Sequence, residues 1–421
     1  MRSMLVCLVA ALVLLPAWPA TAAQDATAIV GTPSIEIPAT PAGGQLSWVL
    51  AQLNGGAATL TETDLAAHFV PAFLAAFPVS LLDLLQQTAS QYAPIIVTGF
   101  PFPPTATGVV AEVDLVTGEH GAVYLAVEAT PPHRITRLDL AEAPAPATAT
   151  GRRVRIGERA LYLDCRGRGG PTVVLEGGTT RDWVSVQTEV ATTSRVCAYD
   201  RPDSPGSRSD PTPERTAQEV VDDLVALLAA SGEPGPYVLV GHSMGGLYVQ
   251  LFAYQHPNEV AGLVLVDPTP EEFGTRLTEL VASLGTPAPA RPLEAPPTPQ
   301  ETSFGQMREA RVGSAHPSVP LVVLTHGRAD DPAERPPGWP LADEERIWRE
   351  LHEELAHRIP HGRHVVAEGT GHDIHQEQPE LVIESIRSVV AAVRDPITWT
   401  TPAANPATPS APRGTPLDPA A

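Results

Sequence analysis

Between residues 150 and 395 short apolar, β-branched runs alternate with stretches whose apolar side chains fall three and four positions apart. The runs at 172–175, 195–199, 237–240, 263–266, 321–324 and 363–367 read as strands buried on both faces. The intervening helical spacing is clearest at 216–230, where Val220, Leu224, Leu227 and Leu228 form one stripe, and at 380–393. Two further runs, at 154–156 and 160–163, flank Gly157-Glu158-Arg159 and predict an opening hairpin. Strands alternating with helices predict an α/β domain over 151–395, with a mostly parallel, doubly wound sheet covered on both faces.

The preceding region is patterned differently. Residues 45–53, 61–69 and 79–90 have helical spacing, and 109–115 and 123–127 alternate as strands around Thr117-Gly118-Glu119. Helices followed by strands predict a small α+β domain over 43–140. A Pro/Ala/Thr linker at 141–150 divides it from the α/β domain, a Thr/Pro/Ala-rich leader occupies 24–42, and a tail at 396–421 is expected to be disordered. Residues 1–23 read as an export signal, with Arg2 before an apolar stretch and small residues at Ala20-Thr21-Ala22. That apolar stretch is too short to span a bilayer, and no other span is expected.

Composition narrows the chemistry. The chain has 48 acidic against 27 basic residues, a formal charge of −21, which argues against nucleic acid as a partner and leaves no basic patch for anionic lipid. Every basic residue is arginine, so a Ser-Lys dyad, a Schiff base and a Walker-type phosphate loop are all excluded. Once the signal has removed Cys7, Cys165 and Cys197 remain, and an even pair in an exported chain favours a disulfide. No GxGxxG follows a strand, so no nucleotide cofactor is expected. His352, His357, His361 and His364 lack a zinc-site pattern, so no metal is expected either.

The strongest local signal is Tyr237 to Tyr248, where an apolar run enters Gly241-His242-Ser243-Met244-Gly245 and a helical pattern comes at once after it. This strand–turn–helix order lifts Ser243 onto a sharp turn as a nucleophile candidate. A serine needs a base. His372, in Gly369-Thr370-Gly371-His372-Asp373, lies in a loop between the last strand and the closing helix, where it can fold back over the turn. His375 is a weaker alternative, and His361 and His364 precede or open the strand. The Pro-rich stretch at about 268–320, with helical patches at 271–283 and 302–311, is expected to be a lid over this turn.

These blocks, with 173–178, 195–201, 260–268 and 369–382, resemble the α/β-hydrolase superfamily over residues ~150–395. The resemblance implies a Ser-His-Asp triad and acyl chemistry. It also implies an oxyanion hole built from the amide of Met244 and a second amide at Gly178 or Thr179, where Glu176-Gly177-Gly178 replaces the His-Gly that relatives often carry. Two residues compete as the acid: Asp267, closing Leu265-Val266-Asp267-Pro268, and Asp330, in a His-Gly-x-x-Asp pattern after the next strand, with Asp267 slightly favoured. The superfamily's strand order puts Cys165 and Cys197 on neighbouring strands, which makes a bridge reasonable. Leu53 to Ala57, His68 to Leu74 and Val127 to Ile135 resemble the steroid-isomerase-like (NTF2/cystatin-type) domain that precedes β-lactamase-like serine hydrolases in exported proteins. Without lysine the β-lactamase chemistry cannot be shared. His68 and His133 are read as structural positions with a site role as the alternative.

Together these readings give an exported serine hydrolase acting on a small-molecule carboxylic ester, thioester or lactone. The alternatives are a peptidase, amidase or acyltransferase on the same triad, or a non-catalytic envelope ligand-binding protein. Acyl length and oligomeric state are left open.

Overall fold

The computed structural model describes residues 35–400, apart from 56, 77–79, 145–147, 285–296, 315, 333–334 and 336–338. The expected signal (1–23), most of the leader and the tail beyond residue 400 lie outside the described residues.

The first elements are Pro41–Asn54 (α1), Glu62–His68 (α2), Pro71–Ala76 (α3) and Leu81–Tyr92 (α4). Most of these starts have a local chemical cause. The Thr40 side chain accepts from Gly43 N ahead of Pro41, Thr61 and Asp64 form a reciprocal capping box, and Ser80 caps α4. Pro41 and Ala42 are therefore helical, not leader. Next come Ile96–Gly99 (β1), Gly108–Asp114 (β2), His120–Val127 (β3) and Ile135–Glu142 (β4), an antiparallel sheet in that order. Strands β1 and β4 lie outside the runs expected from the pattern. Helix and sheet share a core that includes Leu46, Leu65, Phe69, Leu84, Val109 and Leu125. His68 stacks on Trp48 at 3.7 Å and pairs with Gln45 Oε1 at 2.8 Å, while His133 Nδ1 donates to Glu128 O at 3.0 Å. Both are held by local packing.

Strand β4 consumes the start of the expected 141–150 linker. The linker's far end is tethered, since Thr148 and Thr150 donate to Asp164 at 2.7 and 2.5 Å. Gly151–Ile156 (β5) and Arg159–Arg166 (β6) form the hairpin, followed by Thr172–Glu176 (β7), Val184–Val190 (α5), Val196–Tyr199 (β8), Ala217–Ser231 (α6), Tyr237–His242 (β9) and Met244–Gln255 (α7). Then come Val260–Val266 (β10), Phe273–Ser283 (α8), Pro299–Gly313 (α9), Leu321–His326 (β11), Leu341–Ala356 (α10), Arg363–Ala367 (β12), Ile374–Glu377 (α11), Pro379–Arg394 (α12) and Ile397–Thr400 (α13). The eight strands run β12-β11-β10-β9-β7-β8-β6-β5, antiparallel only at β5/β6 and β6/β8.

Alternate strand residues feed two cores. Val174, Leu239, Leu265 and Val323 pack under α6 and α7, whereas Val173, Val238, Val264 and Val322 pack under α5 and α12. Each such fully buried side chain contributes roughly 1.5–3 kcal/mol. Cys165 and Cys197 face each other across β6 and β8 and are joined as a disulfide.

Two expectations change in detail. The 268–320 stretch expected as a lid is not one continuous element. It holds α8 and α9, its residues 285–296 lie outside the described residues, and Gln300 Nε2 of α9 reaches Met244 Sδ at 3.8 Å beside the Ser243 turn. Its helix α9 belongs to the layer over the sheet. It buries Met307 completely, and its Ser303 and Gln306 side chains accept from Ala217 N and Gln218 N at the start of α6, at 2.8 and 2.9 Å. Helix α8 packs through Phe273, Leu277 and Val281 on Ile347, Trp348 and Leu351 of α10. The tail does not begin at Pro396 either, because α13 continues the chain and sets Trp399 3.9 Å from the Arg363 guanidinium.

Candidate active site

The turn from β9 to α7 positions Ser243 by backbone crowding. Ser243 itself sits at φ 55°, ψ −124°, a conformation costing on the order of 1–3 kcal/mol. A Cβ on Gly241 would lie 2.4 Å from Gly245 O, and one on Gly245 would lie 2.4 Å from Glu176 O, so neither position admits a side chain. The turn is pinned by Ser243 N to Val266 O at 3.1 Å and Thr269 N to Ser243 O at 3.0 Å. Among the described residues the Ser243 hydroxyl has one hydrogen-bond partner, Thr269 Oγ1 at 3.5 Å. Met244 opens α7, so its N–H is one of the helix's unpaired first-turn donors.

His372 reaches this turn from the loop between β12 and α11. Its carbonyl accepts from His242 Nε2 at 3.0 Å, and the two rings lie 4.7 Å apart, with His242 next to Ser243 in the chain. Its Nδ1 donates to Asp267 Oδ2 at 2.6 Å. Asp267 comes directly after β10 with a positive φ of 44° and no solvent exposure. It accepts three further bonds: His326 Nδ1 on Oδ2 at 2.7 Å, and His326 N (3.1 Å) and Trp348 Nε1 (3.0 Å) on Oδ1. Burial alone would push this carboxyl up, but the histidine hydrogen bonds outweigh it and hold Asp267 well below the usual carboxylate range. For His372 burial pulls downward, yet the Asp267 carboxylate prevails and the ring titrates above its ordinary value. The half-buried His242 and the buried His375 beside it are pushed down by desolvation, His375 to about 4.

Asp330 is not brought to this cluster. It is partly exposed and pairs with Arg335 at 2.6 Å. Of the two acids weighed from sequence, only Asp267 touches His372.

The loop after β7 carries the other candidates. Thr179 N donates to Asp182 Oδ2 at 2.7 Å, closing a capping box, so that amide is already used. Gly178 adopts φ 56°, its carbonyl accepts from Arg201 N at 3.0 Å, and its own amide has no hydrogen-bond partner among the described residues. At the head of Glu176-Gly177-Gly178, the fully buried Glu176 accepts from Tyr199 Oη and from Arg201 Nη1, the latter at 3.2 Å. Burial raises the Glu176 carboxyl above its ordinary value despite Arg201. Arg137 Nη1, from β4, donates to Pro202 O at 2.7 Å, so the N-terminal sheet touches the loop that holds this one.

Sequence patterns single out His326 only as part of the His-Gly-x-x-Asp motif, and Glu345 and Trp348 not at all. The available signal was α10's inward stripe of Ile347, Trp348, Leu351 and Leu355, which marks a helix packed on the sheet and not a solvated one. His352 and His364 share Thr325 Oγ1, each at 2.7 Å, and so act as packing groups. Two histidine-containing groupings converge closely enough to be weighed as cation sites, Asp267/His326/His372 and His242/Asp373/His375. In the first the histidines turn N–H groups, not lone pairs, toward the acid.

A family model described as "Alpha/beta hydrolase family" matches residues 169–385, more than half of the chain. An uncharacterized protein of Bacillus subtilis (strain 168), YqjL, is 26% identical over 240 residues, covering 54% of this chain and 86% of its own length. Lipase LipV of Mycobacterium tuberculosis is 38% identical over 109 residues, 26% of this chain and 41% of LipV. Among solved structures, a thermophilic esterase from Thermogutta terrifontis is 24% identical, with a TM-score of 0.41, covering 58% of this chain and 99% of that one. A likeness at that level says nothing about substrate.

Proposed function

Since the chain belongs to the alpha/beta hydrolase family, we propose that it is a serine hydrolase that cleaves a carboxylic ester through Ser243, His372 and Asp267. The observation that carries this reading is the 2.6 Å bond from His372 Nδ1 to the buried Asp267, made beside the strained Ser243 turn.

In the proposed cycle Ser243 Oγ attacks the acyl carbonyl as its proton passes to His372 Nε2. Asp267 keeps Nδ1 protonated and balances the imidazolium that forms. The tetrahedral oxyanion is met by the amides of Met244 and Gly178. Thr179 is set aside because its amide is held by Asp182. Collapse returns the proton to the leaving alcohol oxygen, and water then repeats the sequence on the acyl-serine. The Ser243 hydroxyl, whose partner in the structure is Thr269 Oγ1, must turn toward His372 before the transfer. The name of LipV favours an ester over an amide.

Export of the chain is part of this proposal. It rests on the pattern of residues 1–23 and on a disulfide that suits an oxidising compartment.

A fluorophosphonate probe tests the reading. Wild type should label covalently at one serine, and Ser243→Ala should not label and should lose at least about 10³-fold in p-nitrophenyl ester hydrolysis. Labelling of Ser243→Ala at the wild-type rate would refute the assignment.

A further inference from the structure

His326 ends β11 with both ring nitrogens against acids. Nδ1 lies 2.7 Å from Asp267 Oδ2, and Nε2 lies 2.8 Å from Glu345 Oε2 on α10. A carboxylate only accepts, so in this arrangement both nitrogens carry hydrogen and the ring is an imidazolium. Asp267 Oδ2 is also the atom that accepts from His372 Nδ1 at 2.6 Å. Two histidines thus share one carboxylate oxygen, and the deeper one has a counter-ion of its own. His326 is 8% exposed and Asp267 not at all, so the charges interact with little screening.

On the Ser243–His372–Asp267 reading, on which this inference rests, the cluster holds two imidazoliums once His372 takes the serine proton. Asp267 alone could offset one of them, and an uncompensated buried charge is expensive. Glu345 supplies the second negative charge. We propose that His326, held by Glu345, is a positioning residue that sets the proton affinity of His372 through the Asp267 oxygen they share.

Other titratable groups face the pair and stay in place when His326 or Glu345 is replaced. His352 of α10 stands near His326 and Asp267, while Asp373, His242 and His375 face His372.

The test is the pH dependence of kcat/KM for p-nitrophenyl acetate, on the full chain, for wild type, His326→Asn and Glu345→Gln. Asparagine keeps a donor near the Nδ1 position without the charge. Removing that cation should move the acid limb up by about one pH unit. Glu345→Gln removes an anion and should move the limb down. A merely structural role would lower the amplitude of both profiles and leave the limbs in place. An unmoved limb in His326→Asn, or shifts of the same sign in both variants, overturns the proposal. Should His326→Asn fail to fold, the downward shift in Glu345→Gln decides. Probe labelling run alongside separates the two readings: a labelled Ser243→Ala sinks the triad, while an unlabelled one with unmoved limbs sinks only the role of His326.

Discussion

Asp267 holds four hydrogen bonds on two oxygens with no access to water, in a backbone conformation that non-glycine residues rarely adopt. Asp267→Asn replaces an acceptor with a donor facing His372 and should reduce kcat by about 10⁴ through the wrong imidazole tautomer. Asp330→Asn should leave hydrolysis within about twofold, because it loses only a partly exposed pair with Arg335. Near-wild-type rates for both variants would remove the acid from the mechanism. The sign of the pH effect also belongs to this scale. On the proposed mechanism His372 must be neutral to accept a proton, and its titration lies above 6.5, so activity should be lost as pH falls through a midpoint above that value. Ser243 was legible because its turn is a local pattern. The choice between Asp267 and Asp330 was not, since both come just after apolar strands and only the direction of their loops separates them.

Among the elements, α9 gives the sharpest test. As a layer helix it buries Met307 fully and closes the start of α6 through Ser303. Met307→Ala should therefore lower unfolding free energy by about 2–4 kcal/mol in a urea melt. A mobile lid would register well under about 1 kcal/mol on the same scale. Helices α6 and α12 were readable from their apolar stripes, and in α6 the caps agree: Thr216 and Glu219 form a capping box and Gly232 ends the helix at φ 73°. Strands β1 and β4 and helix α5 escaped because they are short or lack clear periodicity. The docking of α9 was not readable for a related reason. Proline density marks an irregular connection but does not say where a helix inside it will dock.

For the whole molecule, paired buried histidines make stability depend on pH. His326 is raised from 6.5 to about 10, so its contribution is complete below 6.5 and disappears as pH climbs toward 10. Thermal unfolding of wild type should therefore shift to lower temperature over that interval, and His326→Asn should flatten the decline. A wild-type melting temperature that holds constant from pH 7 to about 10 would contradict the paired imidazolium. The alternation of strands and helices by itself determined the eight-stranded sheet's class and the place of the Ser243 turn, because burial on two faces and a glycine-bounded turn leave their mark within a few neighbouring residues. Tertiary structure alone decided which aspartate meets His372, which amide after β7 is left unpaired, and that His326 and Glu345 complete the charge cluster. The hydrogen bonds that join this cluster link residues from 19 to 105 positions apart, and contacts across such spans depend on how loops and helices pack, which no local pattern records.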